Sequence, residues 1–354
     1  MPSPKQKSAD KSADKSVDKT ADKNADKSAE KLADKSAVTG EKPAVKGAAK
    51  GAAKGAAKGA AKGVEKAAEK STAPAVASFR QSKPADAYFH VLPAPFVGER
   101  HKGSTMAGGP AAIIAASQNL EPWDGRSIPA RHGIHTLAPV DCKGTAEKVL
   151  ERIAAQVGSI FKQRKFPIGL GGDGMITYGM VKGLLGAGVV NFGVIQIDAQ
   201  ADLRDVDAGN PWSEACVMKR IVDEDVPLFQ LGVRNLSKEE ADARRVYGVK
   251  FYDADFLVSR NITKVELPGE FPENVFLSID IDGFDPSVFP SPDAIPGGLG
   301  WVQVLSMIES ISQQVDIIGF DLTQFRPVDG QPFYDKAAAL LIYKIMGIVE
   351  RARL

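Results

Sequence analysis

VNFGVIQIDAQAD, residues 190–202, is the stretch on which the reading of this chain turns. An apolar run of strand length ends in two aspartates four apart, Asp198 and Asp202, with Gln200 between them. Side chains at i and i+2 of an extended segment share a face, so the three polar groups are expected to project together. Asp280 and Asp282 in FLSIDIDGFD (276–285) repeat the pattern. Four carboxylates converging on one strand edge repel unless they are protonated or neutralised by cations. The usual chemical use of such a cluster is a pair of divalent metals that share a water and make it a nucleophile near neutral pH. Taken singly, a DxxxD or a DxD is as readily a surface pair or a cap.

Outward from this stretch, short apolar runs alternate with helical patterns from about residue 86. AYFHVLP (87–93) precedes GGPAAIIAASQNL (108–120), FPIGLGG (166–172) precedes ITYGMVKGLL (176–185), and NFGVIQID (191–198) precedes SEACVMKRIVD (213–223). PLFQLGV (227–233) precedes SKEEADARRV (237–246), NVFLSIDID (274–282) precedes WVQVLSMIESI (301–311), and DIIGFDL (316–322) precedes DKAAALLIYKIMGIV (335–349). Strand and helix alternating at this spacing predict βαβ units: a single three-layer α/β/α domain over 86–354, with a mostly parallel sheet and helices on both faces. Ligands of such sheets bind at the carboxyl ends of the strands, where GGDG, DAQAD and DIDGFD all fall.

Residues 1–80 differ in texture. KSADKSADKS gives way to GAAKGAAKG, a four-residue period without aromatic residues until Phe79. Residues 1–75 carry 17 Lys against 10 Asp and Glu, whereas the rest of the chain is mildly acidic. So little apolar surface cannot offset the entropy of ordering, and a disordered tail is expected. Its lysines allow contact with nucleic acid or another anionic partner, most readily from the AAKG half, which lacks interleaved acids. Cys142 and Cys216 suggest no disulfide framework, and no apolar stretch of signal-peptide or membrane-span length occurs, so the expectation is a cytoplasmic protein with no membrane partner.

The ordered set of motifs resembles the arginase/agmatinase (ureohydrolase) family, over roughly 86–350. GGDGMITYG is similar to the family's GGDHS segment, and DAQADLRD to its DAHADLR. SIDIDGFDPSVFP with PGGLG resembles its aspartate-rich strand end and later PGGL, and GFDLTQFRPVDG the strand that ends in a glutamate. LGVRNLSKEE and SEACVMKRI look agmatinase-like. The resemblance implies a dimanganese site whose aspartate ligands are Asp198, Asp202, Asp280 and Asp282. The two histidine ligands fall at Gly174 and Gln200. Glycine offers no ligand, and a glutamine amide oxygen suits Mg²⁺ or Ca²⁺ better than manganese. The family's proton-transfer histidine falls at Glu214, and the glutamate that holds the substrate guanidinium at Gln324, where an amide removes the charge partner. SVFPSPDAIPGG is about one residue shorter than the family pattern, which implies a different loop at the site. Of the four histidines, His90, His101, His132 and His135, all precede the first of these motifs, and none is expected to replace a lost ligand.

These departures lead to the expectation of a family member that has lost dimanganese binding and urea release, holds no cofactor, and serves as a non-catalytic or regulatory subunit. The family's assemblies imply a homotrimer or hexamer, or a hetero-oligomer with an active paralogue. One alternative is an active C–N (amidine or guanidino) hydrolase with an oxygen-only site for Mn²⁺, Mg²⁺ or Ca²⁺ and Glu214 as acid/base. A second makes the tail a binder of nucleic acid or anionic polymer.

Overall fold

The computed structural model describes residues 77–79, 82–293 and 295–354. The expected disordered tail, residues 1–80, lies outside the described residues except for Ala77–Phe79. Eight strands form one sheet: β1 (Phe89–Ala94), β2 (Ile134–Thr136), β3 (Phe166–Gly171), β4 (Gly193–Ile197), β5 (Leu228–Leu231), β6 (Lys250–Tyr252), β7 (Asn274–Asp280) and β8 (Asp316–Thr323). Their order is β2-β1-β3-β8-β7-β4-β5-β6, and every pairing is parallel. All carboxyl ends therefore lie on one edge of the sheet. The helices are α1 (Gly109–Ala116), α2 (Ala146–Lys162), α3 (Ile176–Gly186), α4 (Val217–Val222), α5 (Lys238–Val246), α6 (Ala254–Ser259), α7 (Trp301–Ser312) and α8 (Pro332–Arg353). Among the described residues no helix is long and apolar enough to cross a membrane.

The period-2 pattern of the strands sorts their side chains between two cores. Ile195 and Ile197 of β4, with Val275, Leu277 and Ile279 of β7, pack under α1, α7 and α8. Val194 and Phe276, on the opposite face, pack under α2, α3 and α4. Because a parallel sheet is covered on both faces, its strands read as continuous apolar runs rather than as alternating ones. On the second face the helices approach closely where side chains are absent. A Cβ on Gly183 would stand 2.6 Å from Val157 Cβ and 2.8 Å from Ala154 O, so this glycine sets the contact of α3 with α2.

All six strands expected from the apolar runs are present. Two edge strands, β2 and β6, escape the pattern because each is three residues long and carries few apolar positions. Helix α2 escapes it too, although Val149, Leu150, Ile153, Val157 and Ile160 make a buried stripe at helical spacing.

Candidate active site

The carboxyl edge of β3, β4, β7 and β8 carries a cleft of about 300 Å³. Gln200, Asp202, Glu214, Asp282 and Gln324, five of the positions singled out in the sequence, line it together with Arg100. Asp198 and Asp280 lie beside it, close enough that their charges act on those of Asp202 and of each other. Gly174 belongs to the same place: a Cβ there would sit 3.7 Å from Glu214 Cβ and 3.8 Å from Asp280 Oδ2.

The way the aspartates converge differs from the expected alternation along an extended strand. β4 ends at Ile197, and the chain then turns. Asp198 Oδ1 accepts from Gln200 N at 3.0 Å, and Asp202 adopts φ +53°, in the left-handed region. Asp280 is the last residue of β7, and its Oδ1 accepts from Asp282 N at 2.8 Å across a 3₁₀ turn (Ile281–Gly283). Gln324, just past β8, is also left-handed, at φ +61°, and its N–H donates to Gly172 O at 2.7 Å. Non-glycine residues in this region cost of order 1–3 kcal/mol, and they cluster where side-chain aim matters to function.

Burial and crowding govern the charges. Burial, followed by the neighbouring carboxylates, holds Asp202 and Asp280 well above the usual aspartate range. Asp198 is pushed up to about 7, by burial first and then by Asp282, against the hydrogen bonds that favour its charged form. Asp173 also rises to about 7, chiefly through burial and then through Glu214. Burial raises Asp282 as well, and the nearby Ser291 hydroxyl offsets this only in part. Neither oxygen of Asp282 makes a well-formed hydrogen bond, and Glu214 Oε2 has no partner although it is buried. Unpartnered carboxylate oxygens facing a polar cleft are the donor set of a hard divalent cation. The residues present therefore fit a metal, contrary to the expectation of no cofactor.

Behind the aspartates runs a buried polar chain that the motif reading missed. Gln196 Nε2 donates to Asp198 Oδ2 at 2.8 Å and to Asp202 Oδ2 at 3.3 Å. Gln196 Oε1 accepts from Gln230 Nε2 at 2.6 Å, and Gln230 Oε1 accepts from Arg244 Nε at 2.7 Å. Arg244 is itself buried, paired with Asp253 at 3.0 Å and stacked over Phe251 at 4.2 Å. The available clue was a glutamine inside each of two apolar strands, VIQI and LFQL, which β4 and β5 place side by side.

No histidine was expected to replace a lost ligand, yet one of the four reaches Glu214 at the cleft. His101, in a 3₁₀ turn after β1, is buried with its Nε2 against Glu214 Oε1. Its Nδ1 lies 3.2 Å from an Arg326 guanidinium nitrogen, which also contacts Asp293 at 2.8 Å and Gln324 Oε1 at 3.4 Å. Burial alone would lower the imidazole pKa, but Glu214 and then Asp173 outweigh it and raise the pKa. Sequence distance hid this contact, since 113 positions separate His101 from Glu214. The other histidines lie elsewhere: His90 and His135 bond the Pro84 and Ser82 carbonyls, and His132 bonds Glu350.

An eight-stranded parallel sheet covered by helices on both faces, with a carboxylate-rich cleft at its carboxyl edge, is the three-layer α/β/α architecture of the ureohydrolases. Residues 87–347 match the arginase family, and the chain belongs to that family. It is 31% identical over 275 residues to the N(1)-aminopropylagmatine ureohydrolase of Synechocystis sp., covering 74% of this chain and 89% of the relative. Identity to the N(1)-aminopropylagmatine ureohydrolase of Thermococcus kodakarensis is 33% over 283 residues, with 77% and 94% covered. The agmatine ureohydrolase of Thermoplasma volcanium shares the fold with a TM-score of 0.68 at 24% identity, over 78% of this chain and 94% of that one.

Proposed function

We propose that the chain is a metal-dependent hydrolase of a C–N bond in an amidine-, guanidine- or ureido-type substrate, working from a ureohydrolase site rebuilt with oxygen ligands. The observation that carries this reading is a buried, unpartnered Glu214 Oε2 together with an Asp282 carboxylate that makes no well-formed hydrogen bond, both at the lining of the cleft. Full-length relatives that are ureohydrolases support it. Asp198, Asp202, Asp280 and Asp282 would hold the divalent ion or ions, with the Gln200 amide oxygen beside them. When bound, such an ion supplies Lewis acidity and a nucleophile drawn from water near neutral pH.

The remaining roles belong to the chain. Glu214, with one oxygen on His101 and the other free, is placed to take a proton and return it to the leaving nitrogen. His101 holds Glu214 in position and accepts on its far nitrogen from Arg326. Arg326 occupies Gln324 Oε1, which leaves the amide N–H groups of Gln324 to face the cleft. A donor there suits a neutral or carbonyl-bearing group better than a guanidinium, which offers donors only.

Purified protein supplied in turn with Mn²⁺, Mg²⁺ and Ca²⁺ tests the reading, with agmatine and neutral ureido and amidine analogues as substrates and release of urea or ammonia as readout. Turnover that disappears in Asp282→Ala supports it. No turnover with any of these metals and substrates overturns it.

The second reading, a non-catalytic subunit of a homo- or hetero-oligomer, draws on one observation. Gly174 offers no side-chain donor to an ion, and the Gln196 amide already donates to both Asp198 and Asp202. Urea release from agmatine gained only in Gly174→His/Gln200→His would favour it.

A further inference from the structure

We infer that His101, Asp173 and Glu214 form a divalent-metal site in which an imidazole from the β1–α1 segment takes over the nitrogen ligation missing at Gly174. The inference rests on the hydrolase reading's placing of a metal at this cleft and revises its detail, giving Glu214 and His101 to the metal in place of proton transfer and positioning. Among the described residues these three form a group whose ligand atoms all lie within 4.8 Å of one another, and all three are buried. Bonds of about 2.0–2.2 Å to nitrogen and oxygen keep the ligand atoms of one ion within about 4.4 Å of each other, so the group closes on an ion once the His101 Nε2–Glu214 Oε1 hydrogen bond opens and the outer atoms draw in by a few tenths of an ångström.

The second observation concerns the surroundings of the group. Glu214 is 7% exposed, and its Oε2 has no partner, which is costly unless something meets it. The side-chain volume removed at Gly174 opens towards Glu214 Cβ, so Glu214 and His101 meet beside the position that lost its ligand. Asp173 is fixed by donors of its own: Gly98 N at 3.2 Å on Oδ2 and Met175 N at 2.8 Å on Oδ1. The Gly98 contact ties the segment bearing His101 to the turn after β3.

Ligation through Nε2 requires that Nδ1 carry the proton and find an acceptor. Arg326 cannot serve, since guanidinium groups only donate. Asp293 Oδ2 lies 4.0 Å from Nδ1 and is already held by Arg326 at 2.8 Å. A small rotation of the imidazole exchanges one partner for the other and leaves the Arg326–Asp293 pair intact. A mixed nitrogen and oxygen donor set selects a first-row divalent ion such as Mn²⁺, Fe²⁺ or Zn²⁺ over Ca²⁺ or Mg²⁺.

The test uses the untagged full chain with Mn²⁺ alone. Calorimetry gives affinity, and pulsed electron paramagnetic resonance detects ¹⁴N coupling to the bound ion. The whole sequence holds four histidines, and the other three make hydrogen bonds outside the cleft, so an imidazole signal is attributable. Wild type is expected to show histidine coupling, and His101→Gln to lose it together with at least about tenfold in Mn²⁺ affinity. Glu214→Gln should lower affinity while the nitrogen coupling stays, and thermal melts of both variants check folding. Mn²⁺ bound without nitrogen coupling in wild type, or coupling that persists in His101→Gln, overturns the inference, as does absence of Mn²⁺ binding. Nitrogen coupling without turnover of any substrate upholds this site while refuting the hydrolase reading; turnover without coupling does the reverse.

Discussion

Replacing Gln196 by leucine tests whether the buried amide chain holds the aspartates in place. Leucine is of similar volume and suits the apolar strand, so the change removes hydrogen bonds with little change in packing. Four bonds are lost: those to Asp198 at 2.8 Å and Asp202 at 3.3 Å, a long one to Gln200 O at 3.5 Å, and the one accepted from Gln230 at 2.6 Å. Gln230 keeps its bond to Ala201 O at 2.7 Å, so its amide is not stranded. Bonds to a charged partner contribute about 1.5–3 kcal/mol each and a neutral one about 1 kcal/mol. With Asp202, which burial and its neighbours hold well above the usual aspartate range, counted as a neutral partner, the expected loss is about 4 kcal/mol. Urea unfolding of chelator-treated wild type and variant at neutral pH, with equal m-values, reads it directly. A loss below about 1 kcal/mol would refute the reasoning, because the aspartates would then be held by something other than this chain.

Arg234 donates to five backbone carbonyls, those of Gly232, Asp282, Gly283, Phe284 and Ile295, and so straps the loop beyond Asp282 to β5. Arg234→Lys, a point donor in place of a fork, should cost roughly 2 kcal/mol and speed limited proteolysis between residues 284 and 297. Gly347→Ala would set a methyl group 1.9 Å from Asp124 Oδ2, which Arg351 holds at 2.7 Å while Arg126 N and Ser127 N fix Oδ1 of the same carboxylate at 2.7 and 2.6 Å. A loss of about 2–3 kcal/mol, seen as a lower thermal midpoint, is expected from such overpacking. Burial under the sheet pushes Asp321 up to about 7. The folded state thus keeps a proton that the unfolded chain releases near pH 4, and stability contributed by Asp321 falls between about pH 4 and 7 and is level above that. Asp321→Asn should therefore gain on wild type across that window, by at most about 4 kcal/mol, in unfolding curves at pH 4 and pH 8.

How much was legible in the sequence varied with the physics of each element. Runs such as VIQI and FLSI are buried on both faces, so they stand out wherever they occur. The edge strands IHT and KFY do not, because a single neighbour and partial exposure leave composition almost unconstrained. At the site, Asp198, Asp202, Asp280 and Asp282 were visible because their spacing is local. His101 and Arg326 were not, since the contacts that define them, His101 with Glu214 and Arg326 with His101 and Asp293, span 113, 225 and 33 positions. The geometry expected of DAQAD was also too simple: alternation along a strand suggested a shared face, whereas a turn with a left-handed aspartate supplies it.

The strand order has a consequence for how the molecule is made. β8, the last strand in the chain, lies between β3 and β7 in the middle of the sheet. During synthesis the chain can build β2-β1-β3 and β7-β4-β5-β6 as separate ribbons, each presenting a bare edge. No strand pairing joins them until residues 316–323 emerge from the ribosome. A ribosome that stalls, or a nonsense codon anywhere before that point, releases two unpaired parallel edges rather than a smaller sheet, and such edges template aggregation. The same insertion carries Gln324 and Arg326 into place, so the cleft is completed only at the close of folding.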